Sequence, residues 1–222
     1  MNTSRGTLLV FEGAEGVGKS TQLRRLAIWL ERAKIPACLV REPGGTPLGD
    51  EIRRLVLDTP GQMDPRAEAL LFMASRAQLV TSLIRPALAR GEVVVADRFF
   101  LSTYAYQIGG RGLPEHDIRA ANAVATGGLV PTLTLLLSLP VGESLHRMRA
   151  RGGEGPDRIE SAETEFHERV DEAFAAFAEP EWQRTHPEAG PITRIDASGS
   201  EEIVAERIVA AVRTVLSEVI TL

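Results

Sequence analysis

Five short apolar runs, at residues 8–11, 37–40, 93–96, 133–137 and 192–195, are bounded by Gly, Pro or charge and read as strands. Between them lie longer stretches with apolar residues at helical spacing, at 19–33, 48–57, 66–90, 115–125, 142–151, 162–184 and 201–219. Strands alternating with helices predict an α/β fold, a parallel sheet of about five strands with helices on both faces. Pro36, Pro60, Pro131 and Pro187 punctuate the pattern, and Pro86 is expected to end or kink the long helix it sits in. There is no repeat, low-complexity tract or linker to divide the chain, so residues 1–222 are expected to form one domain. Two Gly- and Arg-rich stretches, 109–112 and 147–158, are expected to be flexible, the second as a flap or lid over about 147–160.

Composition narrows the function only a little. The 222 residues are 44% hydrophobic and 25% charged, as in an ordinary globular protein. A net charge of -5 argues against a surface built to hold nucleic acid. The lone Cys38 lies in an apolar run and is expected to be a buried strand residue, with no disulfide framework, which fits a reducing compartment. The N-terminal apolar run is too short for a signal segment, and no other stretch reads as a membrane span. The expectation is a cytoplasmic protein without a membrane or nucleic-acid partner.

The chemistry is carried by Val10-Phe-Glu-Gly-Ala-Glu-Gly-Val-Gly-Lys-Ser-Thr21, where Gly13, Gly18, Lys19 and Ser20 fit the pattern G-x-x-x-x-G-K-[ST]. Between a strand and a helix, such a loop turns successive backbone N–H groups toward one point, and the helix adds its positive end. Gly13, Ala14, Glu15, Gly16, Val17, Gly18 and Thr21 would form the cradle, Lys19 would meet the β and γ phosphates, and the Ser20 hydroxyl would meet magnesium. A second metal-positioning carboxylate is expected at the end of a neighbouring strand, and Val93-Val-Val-Ala-Asp97 supplies Asp97, followed by Arg98. Glu15 is the odd residue, a carboxylate inside an anion site.

Asp58-Thr-Pro-Gly-Gln62 imitates the D-x-x-G-Q segment of small GTPases, a nucleotide-dependent switch. The preceding residues have helical spacing, whereas a switch aspartate should end a strand, and no N-K-x-D motif occurs, so the segment reads as a turn after a helix. No H-E-x-x-H, G-x-S-x-G or C-x-x-C pattern supports hydrolase or zinc chemistry. Arginine placement favours phosphoryl transfer between two anionic substrates: Arg41, Arg53, Arg76, Arg98, Arg111, Arg147, Arg149, Arg151 and Arg158 fall where they could converge on one cleft.

Together these motifs resemble the thymidylate kinase family, enzymes that phosphorylate dTMP with ATP. The resemblance rests on Phe11-Glu-Gly-Ala-Glu-Gly-Val-Gly-Lys-Ser-Thr21, Arg41-Glu-Pro-Gly-Gly-Thr46, Leu71-Phe-Met-Ala-Ser-Arg-Ala-Gln78 and Asp97-Arg-Phe-Phe-Leu-Ser-Thr-Tyr-Ala-Tyr-Gln107, and runs from about Leu8 to Asp196. It implies a P-loop fold with a lid, ATP and Mg2+ as donor and cofactor, and a homodimer, for which helix 66–90 offers a face. It also implies that Glu15 takes a hydrogen bond from the deoxyribose 3′-hydroxyl, Phe72 stacks on thymine, and Arg76 donates to a thymine carbonyl. Thr103 and Tyr106 would contact base and sugar, Gln107 would complete the pocket, and Arg53 and Arg98 would hold the acceptor phosphate, Arg98 through the transfer itself. With Gly16 in the loop position where one version of the family carries a catalytic arginine, the charge would come from the lid, with Arg151 on the transferring phosphoryl, Arg158 its rival and Arg147 over adenine. Phe99 stands where the family usually has Tyr or His. The runners-up are a kinase for another nucleoside monophosphate and a nucleotide-dependent switch.

Overall fold

A computed structural model of the chain describes residues 6–59, 61–140, 143, 147, 158–159 and 162–216. The five apolar runs form strands β1 (Thr7–Glu12), β2 (Ala37–Arg41), β3 (Val93–Asp97), β4 (Leu133–Ser138) and β5 (Ile192–Asp196). They make one sheet in the order β2-β3-β1-β4-β5, every pair parallel. β1 is thus the central strand.

Because side chains alternate across a strand, one apolar run feeds two cores. Leu8 and Val10 face one way with Val94, Ala96 and Leu136. Leu9 and Phe11 face the other with Val93, Val95, Leu135 and Ile195. The second face is covered by α1 (Lys19–Arg32) and the last helix, Glu201–Leu216, through Leu23, Leu26, Leu30, Ile208 and Val212. The first is covered by α2 (Pro47–Asp58) and α3 (Pro65–Leu79) through Ile52, Val56 and Leu79. Both begin with Pro at the first turn and a side-chain cap, Thr46 Oγ1 accepting from Gly49 N at 3.0 Å and Asp64 Oδ1 from Arg66 N at 2.9 Å.

The expected helix 66–90 is interrupted as Pro86 requires, but upstream of the proline. α3 passes into a π-helical turn, Val80–Ile84, and then into α4, Arg85–Ala89. Pro86 cannot donate to the carbonyl of Ser82, and the ladder widens by one residue just before it. The whole stretch, Pro65–Ala89, is long and apolar enough to cross a membrane by length and composition, contrary to the expectation that no such segment exists. Its apolar face is spent on the protein core, with Met73, Leu79, Val80 and Ile84 each 5% exposed or less.

Three other expectations are corrected. The stretch 162–184 is two helices, Thr164–Phe177 and Pro180–Thr185, because Pro180 restarts the chain after an extended Glu179. Gly109 and Gly110 are not loose: Phe100–Thr103 (α5) runs into a π-helix, Tyr104–Gly110, that ends on them. A Cβ on Gly110 would lie 2.4 Å from the Phe166 ring, so the glycine allows a helix to press on that phenylalanine. Cys38 is only half-buried, since β2 is an edge strand, and its partial burial raises the thiol pKa. The expected turn after 48–57 is present, α2 ending at Asp58.

The carboxyl ends of β1 and β3 lie side by side, with Phe11 opposite Asp97. In an open parallel sheet this is where ligands bind, and every group discussed below is carried there.

Candidate active site

The loop after β1 meets the sequence expectation in its backbone. Gly13, Gly16 and Gly18 have φ of 137°, 77° and 90°. A Cβ on Gly13 would stand 2.4 Å from the carbonyl oxygen of Leu137, so only glycine lets the loop cross β4 so closely. Glu15, Gly16, Gly18, Lys19 and Ser20 line the cleft. Val17 turns its side chain into the core at 3% exposure, and Thr21 stands half-exposed in the first turn of α1.

Lys19 Nζ donates to the carbonyls of Gly13 at 2.8 Å and Ala14 at 2.7 Å, which parks the ammonium across the loop. Burial, and next the Arg98 charge, lower its pKa from 10.5 to about 8. Between those values the unfolded chain holds a proton that the folded chain has lost, so the Lys19 contribution to stability rises with pH from about 8 to 10.5. Anion binding runs the opposite way, because the ammonium is the attracting form. We expect the gain in melting temperature given by saturating Mg-ATP to shrink above pH 8 while that of the unliganded protein gains from Lys19; a constant gain from pH 7 to 10 would refute it.

The turn after β3 is fixed by an acid that the sequence reading passed over. Glu12 ends β1 with no exposed surface and accepts from Phe99 N at 2.8 Å, Ser102 N at 3.1 Å and Ser102 Oγ at 2.6 Å. Arg98 sits on this turn with φ of 70°, a left-handed backbone rare outside glycine, its N–H held by Phe11 O at 3.0 Å. Held so, its guanidinium donates to Gly13 O at 3.3 Å, Ser102 Oγ at 2.8 Å, Tyr106 OH at 3.2 Å and Glu15. Tyr106 OH also donates to Glu15 at 3.0 Å, and burial first, with the Glu15 charge assisting, keeps that phenol protonated well above its usual range. The loop acid is therefore the counter-charge of Arg98, and the pair joins the phosphate loop to the tyrosine of the π-helix.

The second half of the cleft is built on α3. Glu68, Phe72 and Arg76 recur every fourth residue and share one face. Phe72, half-buried, lines the cleft with Thr103, Tyr106 and Gln107. Arg76 lies deeper, 2% exposed. Its Nε reaches Glu42 at 2.8 Å, and its two amino groups reach Thr103 Oγ1 at 2.9 Å, Phe99 O at 2.8 Å, Asn122 Oδ1 and Glu42 again. All five N–H donors have protein acceptors, so a base carbonyl at Arg76 would share a donor with one of them. Phe99 lies under this guanidinium, 5.1 Å from ring centre to Cζ. Burial pushes the Glu42 carboxyl up despite Arg76 beside it.

Arg53, donating to Pro43 O at 3.1 Å, and Arg41 complete the basic side of the cleft. Asp97 reaches it from the end of β3. Arg158 is tied to Val56 O at 2.7 Å and to Glu68. Arg147 pairs with Glu143 at 2.6 Å. Arg149, Arg151 and the other residues of the expected lid apart from Arg147, Arg158 and Ile159 lie outside the described residues.

A phosphate loop heading the central strand, an acid on the adjacent strand and an arginine-rich second pocket within one cleft define a P-loop nucleoside monophosphate kinase. The sequence profile of thymidylate kinase matches residues 11–208. The chain is 46% identical to the thymidylate kinase of Gloeobacter violaceus over 95% of its own length and 96% of the relative's, and 45% identical to that of Deinococcus radiodurans over 94% and 97%. The thymidylate kinase of Roseiflexus sp. is 41% identical over 95% of both chains. The chain belongs to the thymidylate kinase family, whose reaction is phosphorylation of dTMP by ATP with Mg2+.

The donor set fits that ion. Among the described residues no group of three or more His, Cys, Asp or Glu side chains could hold a metal alone, and Glu12 is committed to three donors, from Phe99 N, Ser102 N and Ser102 Oγ. Ser20 and Asp97, one hydroxyl and one carboxylate, suit Mg2+, which takes its remaining oxygens from phosphates and water.

Proposed function

We propose that ATP lies in the phosphate loop, that dTMP lies against α3, and that the γ-phosphoryl passes between them at Arg98. The observation that carries this reading is the position of Arg98, bonded at once to the loop through Gly13 O and Glu15 and to the second pocket through Ser102 and Tyr106. Lys19 would leave its two carbonyls for the β and γ phosphates, and Ser20 and Asp97 would hold Mg2+, which supplies charge neutralisation between those phosphates. Arg53 would hold the acceptor phosphate, with Arg98 stabilising charge as it develops on the transferring group. Phe72 would stack on the base, and Thr103, Tyr106 and Gln107 would close the pocket around base and sugar. Arg76, which lines the cleft and is bonded to Glu42 and Thr103, would donate to a thymine carbonyl by sharing one of its N–H groups. Glu15 would take the 3′-hydroxyl by its second lone pairs while holding Arg98.

An ADP-release assay with Mg-ATP tests this against dTMP, dUMP, dCMP, AMP, GMP and no acceptor. Turnover with dTMP, dUMP at most a weak second, is expected; tight ATP binding without turnover on any acceptor would return a switch function. In the same assay Phe72→Ala should raise the KM for dTMP about tenfold or more and leave that for ATP within about twofold, by loss of one base-stacking contact. Equal losses for both substrates would remove Phe72 from the acceptor pocket.

The expected homodimer would use α3 and the helix Glu115–Thr126 beside it, where Leu70 is 64% and Val124 84% exposed; a light-scattering mass of one chain would exclude it. The one sheet covered on both faces supports a single kinase domain, and the lone Cys38 is in keeping with a cytoplasmic setting.

A further inference from the structure

Glu68 is a buried carboxylate with no place in the reaction described so far. It is 1% exposed and lies one helical turn from Phe72, yet it does not line the cleft. Burying a carboxylate without partners would be costly, so what it binds reveals what it is for. Gln107 Nε2 donates to it at 3.0 Å. Arg111, at the end of the π-helix, donates through Nε at 3.2 Å and Nη2 at 3.1 Å. Arg158 Nη2 donates from the third side. Burial would raise the Glu68 pKa, but the bonds from Arg111 and Arg158 outweigh it and leave the group ionised.

Each partner continues into the acceptor side of the cleft. Gln107 lines it directly. Arg158 holds Val56 O through Nε at 2.7 Å and Leu57 O through its backbone N–H at 3.1 Å, and both Leu57 and the next residue, Ile159, line the cleft. Arg111 lies over the Phe166 ring at 4.4 Å, the ring on which Gly110 closes, and so fixes the end of the π-helix that carries Tyr106 and Gln107. Without the central negative charge, two half-buried guanidinium groups would face each other with only partial screening by water.

We propose that Glu68 is a positioning residue for the acceptor nucleotide: one buried charge holds Leu57, Gln107 and Ile159 at the distance from Phe72 that a pyrimidine nucleotide needs. It touches no substrate and acts through Gln107, Arg111 and Arg158. The inference rests on the assignment of the α3 pocket to dTMP, which wild-type turnover across the acceptor panel tests without any variant.

The test is steady-state kinetics of Glu68→Gln in each substrate separately, with melting temperature to confirm folding. Glutamine keeps one acceptor oxygen and the shape but removes the charge. The KM for dTMP should rise about tenfold, with the KM for ATP within about twofold and kcat at saturating dTMP within about threefold, the signature of a lost ground-state and transition-state contact alike. Arg158→Gln should give the same split more weakly. Combined with Glu68→Gln it should add little, because the two act through one contact. A folded Glu68→Gln with unchanged KM for dTMP, or with both KM values raised together, would overturn the proposal. If Glu68→Gln does not fold, Arg158→Gln carries the test alone, and an unchanged KM for dTMP in it overturns the proposal equally.

Discussion

Arg98→Ala is expected to lower kcat for dTMP phosphorylation about a thousandfold, on the scale found for arginines that stabilise a transferring phosphoryl group. The reasoning starts from the backbone. A left-handed conformation at a non-glycine residue costs about 1–2 kcal/mol, and here it is held by Phe11 O on one side and the Glu12 carboxylate on the other. What that geometry provides is a guanidinium in reach of both halves of the cleft. Alanine keeps the turn, since Glu12 binds Phe99 and Ser102 rather than the Arg98 side chain, so the protein should fold and bind ATP. Arg98→Lys should recover only part of the rate, because an ammonium cannot bridge Glu15, Ser102 and a phosphate as a planar fork does. A kcat within tenfold of wild type in Arg98→Ala, measured at saturating ATP and dTMP, would remove Arg98 from the transfer step.

Arg76→Met is expected to act on stability more than on chemistry, costing about 3–5 kcal/mol, the usual penalty for breaking a buried pair from one side. Methionine fills much of the volume, but Glu42 would be left at 6% exposure with no cation, and Asn122, already short of a partner for its amide nitrogen, would lose its contact to the guanidinium. Two controls separate charge from packing. Glu42→Gln with Arg76→Met should be milder than Arg76→Met alone, because the orphaned carboxylate is gone. Lowering the pH should also narrow the gap between Arg76→Met and wild type, since burial already pushes the Glu42 carboxyl upward and a neutral acid is cheaper to bury. Denaturant titration of the three proteins decides this, and a loss under 1 kcal/mol for Arg76→Met would mean that the buried cluster contributes little net stability.

These two arginines mark the limit of sequence reading. Both were picked out as chemistry-bearing, each beside a motif, and each lies at the cleft. Nothing in the spacing distinguished Arg98, whose fork meets the loop acid, from Arg76, whose donors are all consumed within the protein. The difference comes from Glu42, Asn122 and Thr103, which lie 34, 46 and 27 residues away in the chain. Glu15 is a similar case. Its place in the loop was legible, but its partners Arg98 and Tyr106 stand 83 and 91 residues away. Glu12 and Glu68 were passed over because an acid in an apolar strand or helix reads as a boundary or a solvated position. A usable signal was available, since Glu12 sits between the apolar run at residues 8–11 and a glycine that crosses β4, and Glu68 shares the helix face of Phe72 and Arg76.

The sequence alone determined the five strands, their parallel class, the phosphate loop and the family, because apolar runs, glycine spacing and the strand–loop–helix order are local properties that one segment carries by itself. It also determined that Pro86 would disturb its helix, though not that the widening would fall at Val80–Ile84. Only the tertiary structure decided the π-helix of Tyr104–Gly110, whose residues are nearly all buried and so have no polar face to set a period. It alone decided the roles of Glu12, Glu42 and Glu68. A buried carboxylate takes its meaning from the donors around it, and here those donors come from strands and helices that meet only when the sheet is assembled.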